Sequence, residues 1–258
     1  MHHIKLLSLT VPVKHNVIVP VKRTVPSTLK VLQKMENPKG NPFLALIKNF
    51  ADNPQKFQEG LEKLLNEGPE KVCRYLLDIL ALRDKNTAHH ANGVAKIATK
   101  LSKEIGLSSQ ETEKIRIAAL GHDLGKLYTP LKILKKPGKL NEYETAVTRK
   151  HALRTKQLLE QLGLTRKNDI FKNAAELAEN HHTSIDKLNL TRKKTMEEEV
   201  LELSDVFSAL TIKRDYKKPQ PPQKALEAMK NMQKDQKLWN SELFEKFTKF
   251  VEKTYCKK

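Results

Sequence analysis

From residue 69 onward, apolar positions recur at steps of three and four, the period of helices with one buried face. Local punctuation sets the predicted bounds. Gly68-Pro69 starts a helix that runs to about Asp84. A long helix follows at about 87–105, with Gly106 as its C-terminal cap. Ser108 with Glu111, Asn141 with Glu144, and Thr195 with Glu198 each have capping-box spacing. They predict helices ending near His122, Gly163 and residue 212. Another helix is expected over about 169–182, and two more over about 223–235 and 241–255, after the break at Pro219, Pro221 and Pro222. Pro130 to Gly138 reads as a loop. Strand signals are nearly absent after residue 40, so the expected fold class is all-α.

The first 40 residues follow a different rhythm. Val-Pro-Val-Lys occurs at 11–14 and again at 19–22, and the prolines remove backbone donors. This stretch reads as a flexible or weakly β-structured basic arm, a possible contact for a partner protein. Asn41-Pro42 and Asn53-Pro54 then open a short helical module at 41–68. Residues 69–258 form the main domain.

Composition narrows the picture. Of 258 residues, 38% are hydrophobic, enough for a core, and the formal charge is +18. That charge suits an anionic partner such as a nucleotide. Nucleic acid is possible but not favoured, because the lysines are scattered and few aromatics stand ready to stack on bases. The two cysteines, Cys73 and Cys256, have no disulfide or thiolate-metal spacing, which fits a reducing cytoplasm. No apolar run is long enough for a membrane span.

The chemistry lies in polar residues on apolar faces. His90 shares a face with Val94, Ile97, Ala98 and Leu101. His122 lies with Ile115, Ala118 and Ala119, His151 with Val147, Leu158 and Leu162, and Asp205 with Leu201 and Ala209. One such histidine is ordinarily a satisfied core group. A buried Asp without a partner is costly, and several inward-facing helices that each carry His or Asp need a common partner. A metal centre supplies it. Asp123 has two oxygens and can bridge two ions, and His181-His182 place two imidazoles at a helix end. His and carboxylate ligands without thiolate point to Fe or Mn. Two nearby ions can activate water and stabilise an in-line attack on phosphorus.

These residues carry a resemblance. The region from about Tyr75 to Lys217 is similar to the HD superfamily of metal-dependent phosphohydrolases, and looks most like its HD-GYP subfamily, which hydrolyses cyclic di-GMP. Leu80-Ala81-Leu82-Arg83-Asp84 with Thr87 and His90 matches the entry into the first ligand helix. Ala118 to Lys126 matches the central motif, His122-Asp123-Leu124-Gly125-Lys126. Pro130 and Ile133 to Leu140, then His151, His181-His182, Asp205 to Leu210, and Arg214 with Tyr216 follow in order. The resemblance implies metal ligation by His90, His122, Asp123, His151, His181, His182 and Asp205. It implies a catalytic part for Asp123 and Lys126, and phosphate contacts from Lys126, Arg214 and Lys217. The substrate it implies is a cyclic dinucleotide, cyclic di-GMP first.

The chain departs from the family pattern at three places. Thr183 to Leu190 replaces the Gly-Tyr-Pro loop that shapes the substrate pocket. Asn86 stands where three-metal members carry Glu, and Ser208 where a second Asp often follows Asp205. The last two departures imply two divalent ions rather than three. The alternatives are a phosphohydrolase of another nucleotide, and a catalytically weak signalling or binding module.

Overall fold

The computed structural model describes residues 66–166, 169–182, 193–212 and 218–256. All the elements given below fall in one compact unit, Glu67–Lys258. The arm at 1–40, all but the last residues of the 41–68 module, the loop 183–190, Arg214 and Lys217 lie outside the described residues.

The described residues are helical and contain no strand: α1 (Pro69–Arg83), α2 (Lys85–Glu104), α3 (Ser109–Gly121), a 3-10 turn (Leu124–Tyr128), a short α4 (Leu131–Leu134), α5 (Glu142–Arg149), α6 (His151–Arg166), α7 (Asp169–Glu179), α8 (Met196–Thr211), α9 (Pro222–Gln236) and α10 (Ser241–Tyr255). The fold class is all-α.

Side-chain caps define several starts. All three expected capping boxes form with both halves present, at Ser108/Glu111, Asn141/Glu144 and Thr195/Glu198. Asp84 caps α2 by accepting from the Asn86 and Thr87 amides, so that helix begins two residues earlier than expected. It ends in a Schellman motif. Gly106 at φ +84° lets its own N–H reach Lys103 O and the Leu107 N–H reach Ser102 O.

Helix α3 is the hub, packed by α1, α2, α7 and α8. Ile115, Ile117, Ala118, Ala119 and Leu120 are all fully buried. After Arg116 the helix is apolar on every side, which places that half inside the bundle, and the small Ala118-Ala119 pair lets neighbours approach closely. The 3-10 turn after α3 packs on α6, while α9 and α10 form a flank against α8 and α2. Phe207 meets Phe247 edge to face at 5.8 Å there, and Trp239 lies parallel to Phe244.

Two expectations are corrected. The single helix expected from Asn141 to Gly163 breaks at Lys150. The Thr148 carbonyl accepts from the Lys150 N–H and the His151 Nδ1–H, so the ladder is interrupted there. Arg154 N–H to Lys150 O restarts it. The break changes the buried stripe: Val147 and Leu158 are only half-buried, and the inward face of α6 is His151, Thr155, Leu159 and Leu162. The segment expected as loop from Pro130 contains one turn of helix, closed by Ile133 and Leu134 N–H groups on Pro130 O.

No described helix is long and apolar enough to cross a membrane. Cys73 and Cys256 are both free thiols. Burial pushes the Cys73 thiol up to about 12, so it behaves as a small core residue.

Candidate metal centre

The bundle brings His90, His122, Asp123, His151, His181, His182 and Asp205 to one place. Their rings form a continuous chain. Centroids are 5.4 Å apart for His90–His122, 4.9 Å for His122–His181, 5.3 Å for His151–His181 and 3.9 Å for His181–His182. All are buried except His182, whose side chain is 34% exposed and marks the mouth.

Three of the histidines share one local device. Each stands where a helix has just ended, and its Nδ1 bonds a carbonyl three residues earlier. His122 Nδ1 lies 2.8 Å from Ala119 O, His151 Nδ1 2.7 Å from Thr148 O, and His181 Nδ1 2.5 Å from Ala178 O. The last turn of a helix has carbonyls without intrahelical donors. An N–H given to one of them places the proton on Nδ1 and leaves the Nε2 lone pair for the interior. The structure thus turns these rings inward because the helices stop.

His90 is held differently, on the second turn of α2. Its Nδ1 lies 3.0 Å from Ser208 Oγ and its Nε2 2.7 Å from Asp205 Oδ1. A hydroxyl both donates and accepts. Ser208 can therefore serve either tautomer of His90, whereas a carboxylate at 208 only accepts. The 2.7 Å contact between His90 Nε2 and Asp205 is a hydrogen bond, and a cation held at Nε2 would displace its proton.

Asp123 lies between two imidazoles. Its Oδ2 is 3.4 Å from His122 Nε2 and its Oδ1 is 3.2 Å from His151 Nε2. Lys126 Nζ adds a cation 2.8 Å from Oδ2. Burial raises the Asp123 carboxyl, but Lys126 and His122 outweigh it and hold the group well below the usual carboxylate range. Asp205 is likewise held low against burial, chiefly by His90. Burial pushes His151 down to about 4 and depresses His90 and His181. At His122 burial opposes the charged form, and the Asp123 carboxylate raises it regardless.

Among the buried side-chain atoms without a hydrogen-bond partner are His122 Nε2 and Asp123 Oδ1. Such atoms are expensive to leave unpaired in an interior. Divalent cations fit them, since both are lone-pair donors facing an all-nitrogen and oxygen set. Three groups of donor atoms lie within 4.8 Å of one another: His90/His122/Asp123, His151/His181/His182 and His122/His181/Asp205. The first two share no residue, and the third draws on both together with Asp205.

The surroundings brace these ligands through residues that sequence reasoning gave no such part. Arg83 is 7% exposed and donates to Leu127 O and to Thr129 O, the latter at 2.7 Å, while Arg154 donates to Tyr128 O at 3.0 Å. Two guanidinium groups thus grip three successive carbonyls just beyond Lys126. Glu198 is buried and accepts from Asn180 Nδ2 at 2.8 Å and from the Thr195 N–H at 2.8 Å. It ties the turn bearing His181-His182 to the start of α8, which carries Asp205. The capping-box spacing was a signal for Glu198. Nothing local marked Arg154 or Asn180.

Comparisons with known proteins bear on the family and the fold. A profile of the HD domain matches residues 74–238. The 3'3'-cGAMP-specific phosphodiesterase 3 of Vibrio cholerae is 32% identical over 210 residues, 72% of this chain and 44% of that protein. The cyclic di-GMP phosphodiesterase of Thermotoga maritima is 27% identical over 201 residues, 73% of this chain and 53% of that protein. This chain therefore spans about half the length of these relatives. Among solved structures, the HD domain of L. monocytogenes phosphodiesterase PgpH superposes with a TM-score of 0.51 at 16% identity, covering 69% of this chain and 96% of that one. The same domain in complex with cyclic-di-AMP gives 0.50 at 17% identity, covering 69% and 95%. Those two likenesses speak for the fold. With the profile spanning most of the chain, the conclusion is that this protein belongs to the HD domain family.

Proposed function

We propose that this chain is a metal-dependent phosphodiesterase that hydrolyses a cyclic dinucleotide, with cyclic di-GMP the first candidate. The observation that carries the reading is a pair of buried lone-pair donors without a hydrogen-bond partner, His122 Nε2 and Asp123 Oδ1, inside a ring of imidazoles and carboxylates. Relatives named for cyclic di-GMP and 3'3'-cGAMP hydrolysis support the substrate class.

His90, His122, Asp123, His151, His181, His182 and Asp205 would hold two divalent ions, Fe or Mn. When bound, such ions would make a water acidic enough to attack phosphorus and would offset charge on the phosphoryl oxygens. The chain's own residues do the rest. Lys126, partly exposed at 18%, directs its ammonium toward the same space and is assigned to a non-bridging phosphate oxygen. Arg214 and Lys217 are assigned as further phosphate contacts, Arg214 through its two-pronged guanidinium. Burial of His122 and Asp123 at 1% and 2% exposure keeps bulk water from competing for these charges. The proposal assigns residues 69–258 to the phosphohydrolase domain.

The test is chromatography of cyclic di-GMP, 3'3'-cGAMP and cyclic di-AMP after incubation with the Mn-loaded full chain, with and without EDTA. Metal-dependent opening of cyclic di-GMP is the expected result. Turnover of another cyclic dinucleotide alone keeps the reaction class and replaces the substrate. Absence of metal-dependent turnover of all three contradicts the reading.

A further inference from the structure

Thr155 is fully buried, one helical turn after His151 on the same face of α6. Its hydroxyl makes two hydrogen bonds, both to the turn that carries His122 and Asp123. Oγ1 accepts from the Gly125 N–H at 2.8 Å and donates to His122 O at 2.9 Å. The two peptide groups it grips lie on either side of Asp123-Leu124. Gly125 completes the contact: a Cβ there would overlap the His151 carbonyl oxygen, so α6 rests directly on the turn with no layer between.

We propose that Thr155 is a positioning residue that fixes the Asp123 carboxylate relative to His151, and through it the spacing of the cation sites. The inference rests on the metal-centre reading given above. Its chemical basis is specific to a hydroxyl, which can accept from one peptide group and donate to the other at once. A valine of the same shape can do neither and leaves a buried N–H and a buried C=O unpaired. Serine can do both. The 3.2 Å approach of His151 Nε2 to Asp123 Oδ1 depends on backbone that this single side chain holds.

The test compares Thr155→Val and Thr155→Ser with the unaltered full chain, after circular dichroism has confirmed helix content. Mn(II) is the probe, followed by titration and by the electron paramagnetic resonance signal of the paired ions. Thr155→Val is expected to bind Mn(II) about 10- to 100-fold more weakly, the usual effect of losing a partner that orients a ligand, with altered coupling between the ions. Thr155→Ser is expected to restore both. Should Thr155→Val fail to fold, Thr155→Ala removes the hydroxyl without adding bulk, and its contrast with Thr155→Ser decides. A merely structural role lowers the melting temperature but leaves the affinity and spectrum of the folded protein unchanged, which overturns the proposal. An unaltered chain that takes up no Mn(II) overturns the metal-centre reading itself, and this inference with it.

Discussion

Lys126 Nζ lies 2.8 Å from Asp123 Oδ2, three residues away across one tight turn. The same carboxylate meets His122 on that oxygen and His151 on the other. One side chain therefore joins an ammonium, two helix ends and the centre of the imidazole cluster, and this gives Lys126 and Asp123 separable roles.

Removing the ammonium tests the first role. Lys126→Met is expected to retain bound metal and lose about 100-fold in kcat, the scale of losing one preorganised charge opposite a phosphoryl oxygen. Steady-state kinetics at saturating Mn(II), together with elemental analysis, separate the effects. Loss of metal with the rate per bound ion unchanged would refute the assignment.

Asp123→Ala tests the second. It removes both oxygens between the imidazoles, so activity and metal content should fall together while circular dichroism stays helical. Full activity in this variant is incompatible with the site as described.

The buried imidazoles make the chelator-treated protein acid-sensitive. In the unfolded chain a histidine takes up a proton near pH 6.5. His151 in the fold does so near 4, and His90 and His181 are also depressed by burial. Between those values the unfolded state binds more protons, so stability falls as pH falls. His151 alone accounts for about 3 kcal/mol across that window. His122 works in the opposite sense, since the Asp123 carboxylate raises it. The net expectation is a lower urea midpoint at pH 5 than at pH 7.5. An equal or higher midpoint at pH 5 contradicts the burial of neutral imidazoles.

Two glycines give a paired stability test. A Cβ at Gly125 meets backbone atoms, His151 O and Thr155 N, which cannot swing aside. Gly125→Ala should lose about 3 kcal/mol. A Cβ at Gly93 meets chiefly the tip of the Ile212 side chain, which can rotate, and alanine improves helix propensity. Gly93→Ala should change stability by about 1 kcal/mol or less. Denaturant titration of the two variants checks the contrast.

What could be read from the sequence was what neighbouring residues decide. The boxes at Ser108/Glu111, Asn141/Glu144 and Thr195/Glu198 form as spaced, because their hydrogen bonds close within four residues. The residue types of the cluster were also legible, since a His or Asp on an apolar face stands out. The break at Lys150 was not. It depends on the His151 ring taking the Thr148 carbonyl and on Gly125 seating α6, a contact 26 residues away in the chain. Missing it assigned Val147 and Leu158 to the face that Thr155 and Leu159 occupy. Ser208 was legible only as a missing carboxylate. Its bond to His90 needed α2 and α8 side by side. Arg83 and Arg154 converge on the carbonyls of residues 127–129 from two separate helices, and no spacing in the chain announces that.

The most direct measurement is elemental analysis of the full chain purified without chelator, beside a His122→Ala variant of matched helix content. The account predicts about two Fe or Mn ions per unaltered chain, in line with a two-metal hydrolytic site, and a clear loss in the variant. A chain that holds no metal, and takes none up on reconstitution with Fe(II) or Mn(II), contradicts it.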